Sequence, residues 1–367
     1  MKAWPETTLK KVAKKIDYGY TASATETNTG VKFLRITDIA PRTIDWSAVP
    51  YCEISEGDFE KSKLSYGDIV IARTGATVGY AKQIGKNQLR AVFASYLVRV
   101  KLKDDVSSKF VGLLVESSNF KNYISTIAGG SAQPNANAKD LSSYPFYLPP
   151  KPAQEKIAAI LSAYDDLIEN NQRRIALLEK MAEEIYREWF VRMRFPGHEQ
   201  VEKVKGVPED WQRTKVVALT SYLKRGVAPQ YDELAEGVAI NQKCIRDGKL
   251  DLSFARHQSR DVSPDRQIRF GDVLVNSTGE GTLGRVAQVL FPLANSIVDS
   301  HVTIVRPKSG VPIHFFGMTL KAWEVHFCNM GRGATNQTEL APSVIGGVDV
   351  IMPSKHLQDA FEAQAEP

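Results

Sequence analysis

Residues Ala153 to Phe190 read AQEKIAAILSAYDDLIENNQRRIALLEKMAEEIYREWF, and neither glycine nor proline occurs again until Pro196. Within this stretch Ile157, Leu161, Tyr164, Ile168, Asn171, Ile175, Leu178, Ala182, Ile185 and Trp189 follow one another in alternating steps of four and three. Such steps average about 3.5 residues, the heptad period of a helix whose apolar seam packs on another helix. Ile160, Leu167 and Met181 widen the stripe, while Glu155, Lys156, Asp166, Glu169, Arg173, Glu179, Lys180 and Glu183 occupy the other faces. A helix of about 36 residues, on the order of 55 Å long, is not stable alone with that stripe in water and needs a partner. Asn171, the one polar seam member, is expected to set the register of packing or to be a solvated or capping residue.

Outward from this rod, the two flanks repeat each other with a period near 204. Gly67-Asp68-Ile69-Val70-Ile71 returns as Gly271-Asp272-Val273-Leu274-Val275, and a glycine-containing loop follows each. Ser95-Tyr96-Leu97-Val98-Arg99-Val100 answers to Ser300-His301-Val302-Thr303-Ile304-Val305, with the alternation of a half-buried strand. The register holds through Gln133 and Gln337, Pro149 and Pro353, Lys151 and Lys355, and Gln154 and Gln358. A period this long signals a duplicated domain rather than a solenoid.

Short β-rich runs such as Val31 to Ile36 and Asp68 to Ala72, with a helical stretch at Phe110 to Thr126, make each copy a mixed α+β domain. The expected organisation is a domain at 1–150, a helix at 151–195, a second domain at 196–354 and the start of another helix at 355–367. That last helix, beginning near Leu357-Gln358-Asp359-Ala360-Phe361, would reach only about three turns before Pro367. The antiparallel partner expected from the duplication is then clipped, and the apolar stripe should recruit a second chain or a partner helix.

Composition narrows the function. Hydrophobic residues make up 43% and charged residues 24%, as in ordinary globular proteins. The net charge is +5, and the positive excess lies in residues 1–150, the better candidate for contact with a polyanion. Cys52, Cys244 and Cys328 are far apart and form no CxxC pair, which argues against disulfide or zinc sites. The N-terminus has no apolar signal core and no run is long enough for a membrane span, so a cytoplasmic protein with no membrane partner is expected.

Motifs for catalysis on DNA are missing. There is no Asn-Pro or Asp-Pro pair, hence no (Asn/Asp)-Pro-Pro-(Tyr/Phe) set of an amino-methyltransferase, and no GxxxxGK(S/T) phosphate cradle. Pro264-Asp265 lacks the acidic-x-Lys pair of a common nuclease metal site, and the six histidines show no HxxxH spacing. The loops Gly75 to Gly79 and Gly279 to Gly284 resemble phosphate loops only superficially, since neither opens an apparent helix. No catalytic residue, metal or bound cofactor is expected on this chain.

Leu148-Pro149-Pro150-x-x-x-Gln154-Glu155-Lys156-Ile157, followed by Asp165-Asp166-Leu167-Ile168-Glu169-Asn170-Asn171, resembles the central repeat of type I restriction-modification specificity subunits. Phe33-Leu34-Arg35-Ile36-Thr37-Asp38-Ile39, Gly67-Asp68-Ile69-Val70 and Gly130-Ser131-Ala132-Gln133 stand in the order typical of that family. The resemblance covers essentially the whole chain. It implies a non-catalytic reader of double-stranded DNA with two target-recognition domains set apart by a coiled-coil ruler, each reading half of a bipartite target. It also implies methyltransferase subunits that bring S-adenosylmethionine and modify adenine N6, and restriction subunits that bring ATP and Mg²⁺. A scaffold whose helix binds proteins, while its domains no longer read DNA, is the competing reading.

Base contacts would come from amide, guanidinium and hydroxyl groups in loops. In the first domain the candidates are Tyr18, Tyr20, Thr21 and Ser23 in a glycine-flanked loop, Arg35 and Thr37 at a strand end, Arg73 and Thr74 before Gly75, and Ser131, Gln133 and Asn135. In the second they are Lys224 and Arg225, then Asn241, Gln242 and Lys243, then Ser277 and Thr278, and last Arg332, Thr335, Asn336 and Gln337. Turns rich in such residues also have an ordinary structural explanation. Lys10, Lys11, Lys14 and Lys15 would form one basic helix face, touching phosphates or merely solvated.

Overall fold

Strands buried on both faces read as continuous apolar runs, and the repeated run after each Gly-Asp pair is such a strand. In the computed structural model, which describes residues 4–86, 89–128, 135–331 and 338–366, the chain divides into two compact units, Met1–Gln172 and Arg173–Pro367. In the first, Ile69–Ala72 is an inner strand of an antiparallel sheet ordered Ala13–Tyr18, Leu97–Leu102, Ile69–Ala72, Ala81–Gln83. Ile69, Ile71, Val98 and Val100 face Phe110, Val111, Val115, Phe120 and Ile124 on one side. Val70, Ala72 and Leu97 pack with Leu34, Ile84 and Phe93 on the other.

The second unit repeats this arrangement. Its sheet runs Thr220–Arg225, Val302–Pro307, Val273–Asn276, Val286–Gln288, the same order of equivalent strands. Lys32–Leu34 pairs in parallel with Ala91–Phe93 as Gly237–Ile240 pairs with Ser296–Val298. Glu6–Thr8 pairs with Pro145–Tyr147 as Gln212–Lys215 pairs with Asp349–Met352. The mixed α+β class and the duplication read from the sequence are thus present in the fold.

The repeated Gly-Asp step has a local cause. Gly67 and Gly271 sit at φ of +86° and +88°, where any side chain is strained. The aspartate that follows turns back on its own loop: Asp68 accepts from Ser65 N at 3.0 Å and Asp272 from Arg269 N at 2.8 Å. The repeated glutamines are equally structural, with Gln154 Nε2 donating to Pro149 O and Gln358 Nε2 to Pro353 O, each at 2.7 Å and buried. Gln154 Oε1 also accepts from Ser107 N at 2.9 Å.

The long helix spans Lys151–Tyr186 and continues as a π turn, Arg187–Val191. It starts three residues before Gln154, since Pro152 lies in the first turn, where its missing N–H costs no helical bond. The stretch Phe110 to Thr126 forms two helices, Ser108–Glu116 and Ser118–Ala128, parted where Ser117 donates to Leu114 O and accepts from Phe120 N. Of the seam, Leu161, Tyr164, Ile168, Ile175 and Leu178 are 40% to 62% exposed. Asn171 is exposed, and Ile157 and Ile185 are half-buried.

Trp189 departs from the free seam and is buried in the second unit's core with Tyr186, Phe190, Phe195, Trp211, Phe315, Leu357 and Phe361. Leu357 and Phe361 belong to the helix Lys355–Ala365, so this face of it is already covered. Tyr186 donates to Thr319 Oγ1 at 3.1 Å, and burial pushes its phenol up to about 12. An acid whose pKa rises on folding stabilises the fold below its ordinary value, here 10, and loses that contribution as pH climbs towards 12. Denaturant titrations of the protein should therefore lose about 3 kcal/mol over that window relative to Tyr186→Phe. Parallel curves for the two proteins would contradict the burial of the phenol.

Candidate nucleic-acid interface

A tight turn before the last strand in chain order of each sheet organises the polar loops. In the first unit Leu97 N donates to Ala94 O, Ser95 N to Tyr20 O, Tyr20 N to Phe93 O and Arg73 N to Tyr96 O, all within 2.8–3.0 Å. These bonds bring the N-terminal loop and the loop after Ile69–Ala72 to one end of the sheet. Tyr20, Thr21, Arg35 and Thr37 line a groove of about 400 Å³ there, together with Ser95 and Tyr96. Arg35 is not free: its Nε and Nη2 engage Asp38 at 3.1 and 3.0 Å, which presents the guanidinium as a fixed edge.

Beside the groove the Arg73 guanidinium lies 4.9 Å from the Tyr18 ring centroid, and Thr74 bridges to Asn135. Arg73 Nε is buried without a hydrogen bond among the described residues. Ser23 is exposed and lies outside the groove lining. Ser131 and Gln133 lie outside the described residues.

The second unit has the same frame. Val302 N donates to Asp299 O and Ser277 N to His301 O, while Val227 N reaches Val298 O at 3.2 Å. Burial raises the Asp299 carboxyl above its ordinary range, and its Oδ1 accepts from His301 N at 2.8 Å. Thr278 Oγ1 meets His301 Nδ1 at 2.6 Å. Arg225 reaches Glu339 at 3.2 Å and Leu340 O at 3.3 Å. Lys224 lies on the strand beside it, its Nζ 5.6 Å from the Tyr222 ring centroid.

Several sequence candidates are corrected here. Ser277 is fully buried, its Oγ bonded to Thr303 Oγ1 at 2.6 Å, because backbone pairing continues two residues beyond the apolar run, with Ser277 N donating to His301 O. Asn241 has both amide groups occupied, accepting from Lys243 N and donating to Phe254 O, so it shapes the turn rather than facing outward. Gln242 is half-buried with Oε1 unpaired among the described residues, and Lys243 is exposed. Lys10 and Lys11 lie in the one-turn helix Leu9–Val12, whereas Lys14 and Lys15 lie in the strand Ala13–Tyr18, so no single basic helix face exists. Arg332, Thr335, Asn336 and Gln337 lie outside the described residues.

Tyr96 and His301 are the residues that sequence reading passed over. Their runs were placed inside strands, yet the strands begin one residue later, at Leu97 and Val302, and both side chains project from the preceding turn. The usable signal was the serine just before each, a turn former ahead of an apolar run. Among the described residues no group of three or more His, Cys, Asp or Glu could hold a metal ion, and no helix is long and apolar enough to cross a membrane.

Two copies of one α+β unit, each carrying polar loops at the same end of its sheet, define a duplicated protein with paired loop surfaces. Residues 1–180 of the chain match the model of the type I restriction modification DNA specificity domain. The chain is 29% identical over 175 residues to the type I restriction enzyme MjaIX specificity subunit of Methanocaldococcus jannaschii, covering 47% of this chain and 40% of that protein. The putative MjaX specificity subunit of the same organism is 28% identical over 253 residues, 65% of this chain and 59% of that one. The chain thus spans about half the length of the curated relatives it matches. The crystal structure of the type I S subunit from M. genitalium superposes with a TM-score of 0.60 at 16% identity, covering 99% of this chain and 88% of that one, which establishes likeness of fold.

Proposed function

We propose that this chain selects a bipartite double-stranded DNA target, each unit reading one half, on behalf of adenine-N6 methyltransferase and motor-nuclease subunits. The observation that carries this reading is the repeated frame: the same turn, held by equivalent backbone bonds at Leu97 and Val302, Tyr20 and Val227, and Arg73 and Ser277, supports different polar side chains in the two units. A fixed scaffold with exchanged side chains suits base reading, in which phosphate contacts position the protein and side-chain edges specify. On this reading S-adenosylmethionine, ATP and Mg²⁺ belong to the partner subunits, this chain performs no chemistry, and the complex works in the cytoplasm. The exposed stripe from Leu161 to Leu178 is then the docking element for the partner subunits, and a second copy of the chain is the other partner it would accept.

The test is selection from a randomised duplex library with the methyltransferase subunits present. Enrichment of two short sequences separated by a constant unread gap is the expected result. A pool with no enriched sequence would overturn the reading in favour of a scaffold.

A further inference from the structure

Tyr96 and His301 occupy equivalent places in the two units. Both stand at the tip of the turn before the equivalent strand, both are exposed, and the carbonyl of each accepts the backbone N–H of Arg73 or Ser277, at 3.0 and 2.8 Å. The backbone beneath them is held from the opposite side as well: Ala94 N donates to Leu34 O and Asp299 N to Ile240 O, each at 2.9 Å. Two parallel-paired strands and one antiparallel strand therefore clamp the same turn in each unit. The side chain at the tip differs between the two.

The surroundings give each tip a chemistry. Tyr96, 59% exposed, lines the groove shared with Arg35 and Thr37, where the Arg35 guanidinium is held by Asp38. The His301 ring is held at Nδ1 by Thr278 Oγ1, leaving Nε2 as the outward edge. When the threonine hydroxyl donates, Nε2 carries the proton and suits an acceptor such as guanine O6 or N7 or thymine O4. A phenol offers a ring face to a thymine methyl and a hydroxyl to a base edge, a different preference from the same position.

Building on the function proposed above, we infer that Tyr96 and His301 are specificity-determining residues, each reading base edges within its own half of the DNA target from an equivalent turn. Their contribution is separate from phosphate binding, since neither is a fixed cation.

The experiment compares wild type, Tyr96→Ala, His301→Ala and His301→Gln, each assembled with the methyltransferase subunits, in the randomised-duplex selection and in salt-dependent binding. Tyr96→Ala should relax preference at one or two adjacent positions of one half-site, and His301→Ala should do so only in the other half. Each should lower affinity for the preferred sequence about 5- to 100-fold, with the salt slope unchanged. His301→Gln, which keeps a donor, should retain or re-aim the preference rather than lose it. An unaltered pair of half-sites in both alanine variants would overturn the inference, as would a uniform loss across all sequences. Failure of wild type to enrich any sequence would instead overturn the reading on which the inference rests.

Discussion

Arg306→Met destabilises the Arg173–Pro367 unit by about 3–5 kcal/mol, the cost of leaving a buried charge without its partner. Asp272 is fully buried, and Arg306 grips it through Nε and Nη2 at 2.7 and 2.8 Å. The same guanidinium donates to Asp265 O at 3.0 Å and Gln267 O at 2.7 Å, tying the preceding loop to the sheet. Without it the carboxylate keeps the Arg269 N–H, which does not offset the cost of desolvating it. Adding Asp272→Asn should recover much of the loss, because no charge is then buried. Hydrogen exchange localised to the second unit measures the effect, and protection equal to wild type would refute it. Lys101 holds the equivalent register position in the first unit, yet it is 33% exposed and 3.8 Å from Asp68. Lys101→Met should therefore cost under about 1 kcal/mol.

The second large effect concerns assembly. Ile168 and Leu178 are 40% and 57% exposed, so aspartate at either position should change the isolated chain's stability by about 0.5 kcal/mol or less. Against a partner helix the same aspartate buries an unpaired charge in an apolar seam, so affinity for the methyltransferase subunits should fall about 100-fold or more. Calorimetric titration of each variant with those subunits measures this, alongside an unchanged melting profile. Wild-type affinity would remove the helix as the docking element. Sedimentation of the wild-type chain alone supplies the complement: a soluble monomer at all concentrations would argue against a second copy as the occupant.

The long helix was legible because heptad spacing is a local property: every residue from Ile157 to Leu178 states its face through its neighbours three and four positions away. The duplication was legible for a related reason, since a strand buried on both sides must be apolar throughout and a left-handed turn residue before it must be glycine. The loop sets were legible as sets, because turn residues announce themselves by composition. Which members face outward was not. Ser277 and Thr278 are adjacent polar residues, yet one bonds inward to Thr303 and the other reaches His301 at the surface.

The sequence by itself determined two α+β copies and a rod with one apolar stripe, because backbone strain, burial and helical period act between residues close along the chain. Only tertiary structure decided that Trp189 leaves the stripe for an aromatic core, that Asn241 folds back on its own turn, and that Tyr96 and His301 stand at equivalent tips. Those outcomes depend on hydrogen bonds and packing between segments tens to more than a hundred residues apart, and no local pattern records which of several polar neighbours such a partner will claim.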